Sequence, residues 1–276
     1  MHTKENIKLI VLDMDGTLLN HKHQISKGNV NALRKAAAKG IQIAICSGRL
    51  CGDISLYALD AGLDTCRILS LNGAYCLERP NGIPYASHTF ARDTLESCLG
   101  TLTESGVGYS CFWGNRMVST VEPHRIDQRD LPMHEMREGA PEFFSGREAL
   151  ERAVLQGISK ILYVEEEDMK RLEKVREGLL TIRELDVTSS WGNNLELMPQ
   201  GVCKGSAVKE LATRLDIPAE NVMAIGDYDN DISMIAYAGC GVAMANATRA
   251  VLREARHVTL SNAEDGVAEA IYRYAL

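Results

Sequence analysis

Several patterns that mark exported, membrane-bound or nucleic-acid-binding chains are missing from this sequence. The first residues, MHTKENIKLIVLD, contain no charged stretch followed by an apolar one, and no apolar run approaches the ~20 residues that a membrane-spanning helix needs. Lysine and arginine form no block, and the net charge is −7. Because phosphate backbones and anionic membrane surfaces bind clustered cations, we expect neither nucleic acid nor a membrane as a partner. The sequence predicts a cytoplasmic protein.

The cysteines lack the spacing of a metal site or a redox pair. Eight are present, no two of them form a C-x-x-C pair, and several lie inside apolar runs. Such residues typically behave as small, buried hydrophobic side chains. We therefore expect reduced thiols, most of them buried, at Cys46, Cys51, Cys66, Cys76, Cys98, Cys111, Cys203 and Cys240.

Alternating strand and helix patterns occupy the two ends of the chain. The apolar run at 7–12 predicts a strand, and SKGNVNALRKAAAKG predicts a helix that is capped by Ser26 and closed by Gly40. The same alternation continues through IQIAIC, a helix at about 53–61 and RILSLNGA, and it returns in NVMAIGD, GVAM and a final helix at 262–274. This β-α-β rhythm is typical of an α/β fold, here a Rossmann-like, doubly wound parallel sheet.

The middle of the chain has a different character. Residues 85–190 combine helical stripes such as DTLESCLGTLTESG with hairpin-like pieces such as YSCFWGNRMVST, an α+β pattern. A segment of this length is too long for a loop. We predict a catalytic core formed by residues 1–84 and 191–276, and an inserted α+β cap domain at 85–190. Monomers or a weak homo-oligomer are expected.

Polar residues follow the predicted core strands at the points where each strand ends. In open α/β sheets a ligand binds beyond the carboxyl ends of the strands, so these side chains are expected to converge. Lys204 begins the helix that precedes NVMAIGD, and it joins the same edge. The residues at the strand ends are Asp13 and Asp15; Ser47, Gly48 and Arg49; Asn72 and Gly73; and Asp227, Asp229, Asn230 and Asp231.

So many carboxylates at one edge repel one another unless a cation lies between them. Mg²⁺ prefers oxygen ligands and leaves positions for a substrate phosphate. With the Ser47 hydroxyl, the Gly48 N–H and the Lys204 ammonium, the set predicts phosphoryl transfer. We expect Asp13 to be the nucleophile and a metal ligand, and Asp15 to protonate the leaving oxygen and then activate water.

These motifs resemble those of the haloacid dehalogenase superfamily of phosphohydrolases. DMDGTLL, CSGR, GVCKG and GDYDND carry the resemblance, and SLNGA, LELMPQGVCKG and NAEDGV resemble the Cof-like branch with a C2B-type cap. Two positions depart from the pattern: Tyr228 stands where many relatives carry Asn, and Cys203 stands where Ser is frequent before the lysine.

The resemblance implies specific roles. It makes Asp13 the phosphorylated nucleophile, and it adds Asp227 and the Asp15 main-chain carbonyl as Mg²⁺ ligands, with Asp231 supporting the waters of the metal. The implied phosphate contacts are Met14, Ser47, Gly48, Lys204 and Asn230, of which Met14 and Gly48 act through their backbone.

The cap is expected to close over the leaving group and to select the substrate, a small phosphorylated metabolite such as a sugar phosphate or a phosphorylated cofactor. Two alternatives remain open: a phosphomutase, which returns the phosphoryl group to its substrate, and a non-enzymatic receiver-like module. Candidate substrate contacts are Arg49, Asn72 and Gly73 in the core, and Trp113, Asn115, Arg116, His124, Arg125 and Trp191 in or beside the cap.

Overall fold

The computed structural model describes residues 6–120 and 137–276, and these form two sheets flanked by helices. The first sheet has eight strands in the order β14-β13-β12-β1-β2-β3-β4-β5. Strands β14 to β3 are parallel, and β4 and β5 add an antiparallel hairpin at one edge. The predicted doubly wound parallel sheet is confirmed. Its strands are β1 Leu9–Leu12, β2 Gln42–Cys46, β3 Arg67–Ser70, β4 Tyr75–Leu77, β5 Pro84–Ser87, β12 Val222–Gly226, β13 Cys240–Ala243 and β14 His257–Val258.

Helices cover both faces of this sheet. Alternate residues of β1 point to opposite faces, so Ile10 and Leu12 pack in one core cluster while Leu9 and Val11 pack in another. A strand that is buried on both faces reads as a continuous apolar run, and this explains the pattern at 9–12, after the exposed Lys8. The flanking helices are α1 Lys27–Ala38, α2 Cys51–Asp60, α6 Lys204–Arg214, α7 Ile232–Tyr237, α8 Arg249–Glu254 and α9 Gly266–Ala270.

The helix ends agree with local chemistry except at the C-terminus. Ser26 caps α1, since its Oγ accepts a hydrogen bond from the N–H of Asn29 at 3.0 Å. The predicted last helix begins four residues later than expected, at Gly266, and ends in a wider turn at Ile271–Ala275. Asp265, with φ of 58°, has a left-handed conformation that an α-helix cannot contain. Among the described residues, no helix is long and apolar enough to cross a membrane.

Within the described residues, the second sheet has six strands in the order β10-β11-β9-β6-β7-β8, and the β7–β8 pair alone is parallel. The helices α3 Arg92–Glu104, α4 Arg147–Gln156 and α5 Met169–Leu179 pack on one face. The sequence did not predict β8, α4 or β11. The strands are β6 Ser110–Trp113, β7 Arg116–Ser119, β8 Glu142–Ser145, β9 Lys160–Val164, β10 Leu185–Thr188 and β11 Asn194–Pro199.

Sheet membership bears on the domain boundaries. The predicted core segment 191–276 includes strand β11, but β11 pairs with β9 and β10 in the second sheet. Strand β5 belongs to the first sheet and ends at Ser87. We therefore propose an inserted cap at about 88–199, with the core formed by the residues on either side.

The opposite face of the second sheet packs against the core. Phe112, Met117 and Met198 of this sheet cluster with Leu50 and Leu71 of the core. The two sheets therefore enclose a space between them, above the carboxyl ends of β1, β2 and β12.

The cysteine prediction agrees with the structure. All eight thiols are free, and every one except the half-buried Cys203 is buried. Burial raises the pKa of the Cys51, Cys66 and Cys76 thiols to about 12, so these groups are protonated and weakly nucleophilic at neutral pH.

Candidate active site

The acidic residues converge because of the strand order. Strand β1 lies between β2 and β12, and Leu12 is in register with both Ile45 and Ile225. The main chain continues the pairing for one more residue, since the N–H of Asp13 donates to the carbonyl of Ile225 at 2.9 Å. Asp13 and Asp227 therefore emerge side by side at one sheet edge.

Lys204 reaches this edge from the first residue of α6. The start of the helix is held by a reciprocal cap, in which Cys203 accepts from the N–H of Ser206 and the Ser206 side chain bonds back to the Cys203 backbone. The Lys204 side chain is 1% exposed, and its Nζ donates to Asp13 Oδ1 at 2.5 Å and to Asp231 Oδ1 at 2.6 Å. One buried ammonium thus bridges two carboxylates.

Asp231 and Thr17 hold the loop that carries Asp227. Asp231 Oδ2 accepts hydrogen bonds from the N–H of Asp227 at 2.9 Å and of Tyr228 at 3.1 Å. Thr17 Oγ1 donates to Asp227 Oδ1 at 2.7 Å. Gly16 has φ of +79°, and a Cβ there would lie 2.3 Å from Asp227 Oδ2, so only glycine allows the first loop to pass this carboxylate.

Carboxylates exceed cations at this cluster. Burial raises the pKa of Asp13 well above its usual value and that of Asp227 to about 7, and repulsion from Asp231 is the second cause in both cases. Burial alone would lower the pKa of Lys204, but attraction by Asp13 and Asp231 raises it well above its usual range. One oxygen from each of Asp13, Asp227 and Asp231 lies within 4.8 Å of the others, so this donor set fits a hard divalent cation.

The Asp15 carboxylate has a cationic partner of its own in the structure. Arg49 holds it in a two-point ion pair, with Nε–Oδ2 and Nη2–Oδ1 distances of 2.7 Å. The Arg49 guanidinium also lies 5.7 Å from the centre of the Tyr57 ring. Asp15 and Arg49 line the same cavity as Asp13.

Three of the proposed phosphate contacts, Ser47, Gly48 and Asn230, line the same cavity as Asp13. Ser47 is buried, and its Oγ accepts a hydrogen bond from the N–H of Arg49 at 3.3 Å. Asn230 Nδ2 donates to Asn72 Oδ1 at 3.3 Å. The Met14 side chain is fully buried, so only its backbone is available to a ligand.

A cavity of about 430 Å³ opens above these groups. Its floor includes Asp13, Ser47 and Asp227 from the core. The opposite wall is largely apolar and comes from the second sheet and its connections, with the side chains of Phe112, Met117, Phe143, Leu162 and Trp191.

The predicted substrate contacts divide into several groups. Arg49 and Trp191 line the cavity. Asn72 and Gly73 do not line it, because Asn72 is buried behind it and Gly73 packs closely against Ala207 and Cys203.

The cap candidates lie mostly elsewhere. Arg116 pairs with Glu142 at 3.0 Å outside the cavity, and Trp113 is a packing residue that donates to Gln156 and stacks on Phe144. Asn115 holds cap to core, since its Oδ1 accepts from the N–H of Gly52 at 2.7 Å. His124 and Arg125 fall outside the described residues.

Sequence reasoning missed three residues of the site: Thr17, Lys160 and Glu196. Thr17 lies inside the DMDGTLL motif. Lys160 and Glu196 are single charges within the apolar strands SKILYV and NLELM, and both line the cavity. A lone charge at a buried strand position was the signal that could have identified the latter two.

The comparisons with known proteins agree with this geometry. A family model described as haloacid dehalogenase-like hydrolase matches residues 10–271. "Phosphatase YwpJ" of Bacillus subtilis is 32% identical, over 95% of this chain and 98% of that protein. "5-amino-6-(5-phospho-D-ribitylamino)uracil phosphatase YcsE" of Bacillus subtilis is 34% identical, over 98% and 97% respectively.

A solved structure shows the same fold along the whole chain. The structure of a haloacid dehalogenase-like hydrolase from Bacillus subtilis has a TM-score of 0.85 and 30% identity, and it covers 96% of this chain and 99% of its own. The match extends through both sheets, so it is not confined to the core motifs. This chain therefore belongs to the haloacid dehalogenase-like hydrolases, in the Cof-like branch that its motifs resemble.

Proposed function

We propose that this protein is a Mg²⁺-dependent phosphatase that hydrolyses monoesters of small phosphorylated metabolites through an aspartyl-phosphate on Asp13. One observation carries the proposal: the buried carboxylates of Asp13, Asp227 and Asp231 lie together, two of them paired with Lys204, and Asp13 and Asp227 line a cavity large enough for a metabolite. The names of relatives such as YwpJ and YcsE support phosphatase activity. No observation favours the phosphomutase or the receiver-like module.

The proposed reaction has two displacements. An oxygen of the Asp13 carboxylate attacks phosphorus, the bond from phosphorus to the ester oxygen breaks, and the leaving oxygen takes a proton from Asp15. Water then gives a proton to the Asp15 carboxylate and attacks the phosphorus, which breaks the bond to Asp13 and releases phosphate. Ser47, the Gly48 N–H and Asn230 donate to the phosphoryl oxygens in both steps, while Lys204 balances charge on Asp13.

The residues at the sheet edge suit a divalent ion. Asp13 and Asp227 would hold Mg²⁺ together with the main-chain carbonyl of Asp15. Asp231 would support the water molecules of the metal. The ion would offset the negative charge of the phosphoryl group.

The cavity wall bears on the substrate class. A plain sugar offers hydroxyl groups, which need polar partners, whereas Phe112, Leu162 and Trp191 offer apolar and aromatic surface. We propose a phosphate ester whose leaving group carries a flat ring, as in the substrate named for the relative YcsE. The decisive experiment measures phosphate release from a panel that contains ring-bearing phosphates, sugar phosphates and one small generic ester. Failure on every ester would refute the phosphatase.

Removal of divalent cations should abolish activity. Without a cation, the carboxylates at Asp13 and Asp227 repel each other and the substrate phosphate, so chelation is expected to stop phosphate release and Mg²⁺ to restore it. Mg²⁺ should also raise the melting temperature, because it binds only the folded cluster. The Asp227→Asn variant should lose most of this thermal shift, and full activity in excess chelator would contradict the metal site.

Trp191→Ala should change substrate selection and leave the chemistry intact. The indole is 46% exposed at the cavity, so its loss is expected to lower kcat/KM for a ring-bearing phosphate about 3- to 10-fold through lost stacking, with little effect on a small generic ester. Leu155→Ala removes another exposed apolar side chain, on α4, and serves as the matched control. Equal losses on all substrates would show that Trp191 does not contact the leaving group.

A further inference from the structure

A charged pair from the cap is buried at the boundary between the two sheets. Lys160 on β9 and Glu196 on β11 are each 2% exposed, and their Nζ–Oε1 distance is 2.5 Å. Burial alone would raise the pKa of Glu196, but Lys160 lowers it below its usual value, so the carboxylate stays ionised. Because the desolvation of such a pair offsets most of its attraction, the pair is a weak source of stability.

Strand periodicity directs this pair at the core. Lys160 lies opposite Phe112, and Glu196 lies opposite Leu162, so all four side chains share the sheet face that covers the cavity. The helices α3, α4 and α5 cover the other face. The Lys160 ammonium also lies 5.5 Å from the centre of the Phe112 ring.

Each member of the pair makes one hydrogen bond to the core. Lys160 Nζ donates to the carbonyl of Gly48 at 3.0 Å, and Glu196 Oε2 accepts from Asn72 Nδ2 at 2.7 Å. A Cβ on Gly48 would lie 3.0 Å from the Lys160 Nζ and 3.2 Å from Glu196 Oε1. The glycine therefore leaves the space that the pair occupies.

Both bonds lead to groups that are proposed to bind the phosphoryl unit. The Gly48 carbonyl shares a peptide group with the N–H of Arg49, and this N–H donates to Ser47 Oγ. Since Ser47 Oγ accepts there, its own proton is free to point at a phosphoryl oxygen. On the other side, Asn72 Oδ1 accepts from Asn230 Nδ2.

We infer that Lys160 and Glu196 are positioning residues that couple docking of the cap to recognition of the phosphoryl group, by orienting Ser47 through the Gly48–Arg49 peptide and Asn230 through Asn72. This inference rests on the proposed function. It means that the phosphate site of the core is complete only while the cap is docked. Neither residue needs to touch the substrate, because each charge is already neutralised by the other.

The test compares a charge-free double variant with the wild type. Lys160→Met together with Glu196→Leu removes both charges and leaves neither buried alone, so the protein should fold. In the Mg²⁺-loaded enzyme, we expect the inhibition constant of inorganic phosphate and the KM of a small generic ester to rise about 5- to 10-fold, with a melting temperature near that of the wild type. Glu196→Gln keeps the shape and one acceptor, and it should move both constants in the same direction by less.

The matched control is a second cap ion pair whose bonds stay within the cap. Arg171 Nε lies 3.7 Å from Glu165 Oε2, and Arg171 Nη2 donates to the carbonyl of Gly106. The Arg171→Met/Glu165→Gln variant can change the melting temperature, but it should not change the inhibition constant of inorganic phosphate.

The outcomes separate the inference from the proposed function. If the double variant has the same inhibition constant for inorganic phosphate as the wild type, whatever its melting temperature, the coupling is wrong and the proposed phosphatase activity is unaffected. A wild type that neither hydrolyses esters nor binds inorganic phosphate overturns both. If this inhibition constant rises in the double variant but not in the control, the result supports the coupling.

Discussion

Asp13→Asn is expected to lower kcat/KM for every phosphate ester by about 10⁴- to 10⁶-fold, as removal of a covalent nucleophile does in other enzymes. The amide retains the shape of the carboxylate but cannot attack phosphorus or form the aspartyl-phosphate. Steady-state phosphate release with the generic ester measures this loss. Near-normal turnover would refute the covalent mechanism.

The same variant should fold at least as well as the wild type. Burial and the carboxylates of Asp231 and Asp227 raise the pKa of Asp13, so ionisation of this group costs more in the folded protein than in the unfolded chain. Removal of the charge relieves this cost, and Lys204 keeps Asp231 as a partner. The melting temperature without metal should therefore stay or rise, and Asp64→Asn, which changes an exposed aspartate, should alter neither activity nor stability.

Lys204→Met is expected to damage both activity and stability. The substitution leaves Asp13 and Asp231 buried without their shared cation, and breaking a buried ion pair from one side typically costs about 3–5 kcal/mol. In the fraction that remains folded, kcat should fall about 10²- to 10³-fold, since charge on the phosphoryl group loses a compensating ammonium. Urea unfolding and kcat/KM over several substrates measure the two effects.

The pattern of this loss across substrates distinguishes Lys204 from a residue that only stabilises the fold. The loss in kcat/KM should be similar for all substrates, because Lys204 lies below the phosphoryl position and the cap wall lies above it. A changed order of substrate preference would contradict that placement. Lys209→Met, on the exposed face of the same helix α6, removes an equivalent charge and should leave both measurements unchanged.

Local sequence patterns were sufficient for much of the fold. Continuous apolar runs mark strands that are buried on both faces, and this is why β1, β2 and β12 were predicted near their observed positions. Capping by Ser26 followed from its chemistry alone. The last helix was predicted too long because its apolar spacing continues upstream of Asp265, where a left-handed backbone interrupts the helix.

The convergence at the sheet edge also followed from the sequence, for a topological reason. Parallel strands end at one edge, so polar residues that follow several strands must approach one another. Asp13, Asp227 and Lys204 meet there as expected. The type of each residue then indicated a metal and a phosphoryl group.

The ion-pair partners of individual side chains could be identified only from the tertiary structure. Asp15 pairs with Arg49. The sequence predicted neither this contact nor any other partner for the two residues, although both line the cavity. Arg116, expected at the substrate, lies outside the cavity with Glu142. These contacts depend on rotamers and on the orientation of neighbouring loops, which residue spacing does not encode.

By itself, the sequence determined the alternation of strands and helices that is typical of a parallel α/β core, and the positions of the acidic residues at strand ends, since periodicity is a local property of the chain. Only the tertiary structure decided how the cap meets that edge. Strand β11 joins the second sheet through pairing with β9, and this pairing brings Glu196 to Lys160 and both of them to Gly48 and Asn72. Lys160 and Gly48 are 112 residues apart, and such contacts are set by strand order and register because no local pattern specifies which distant strand a given strand will join.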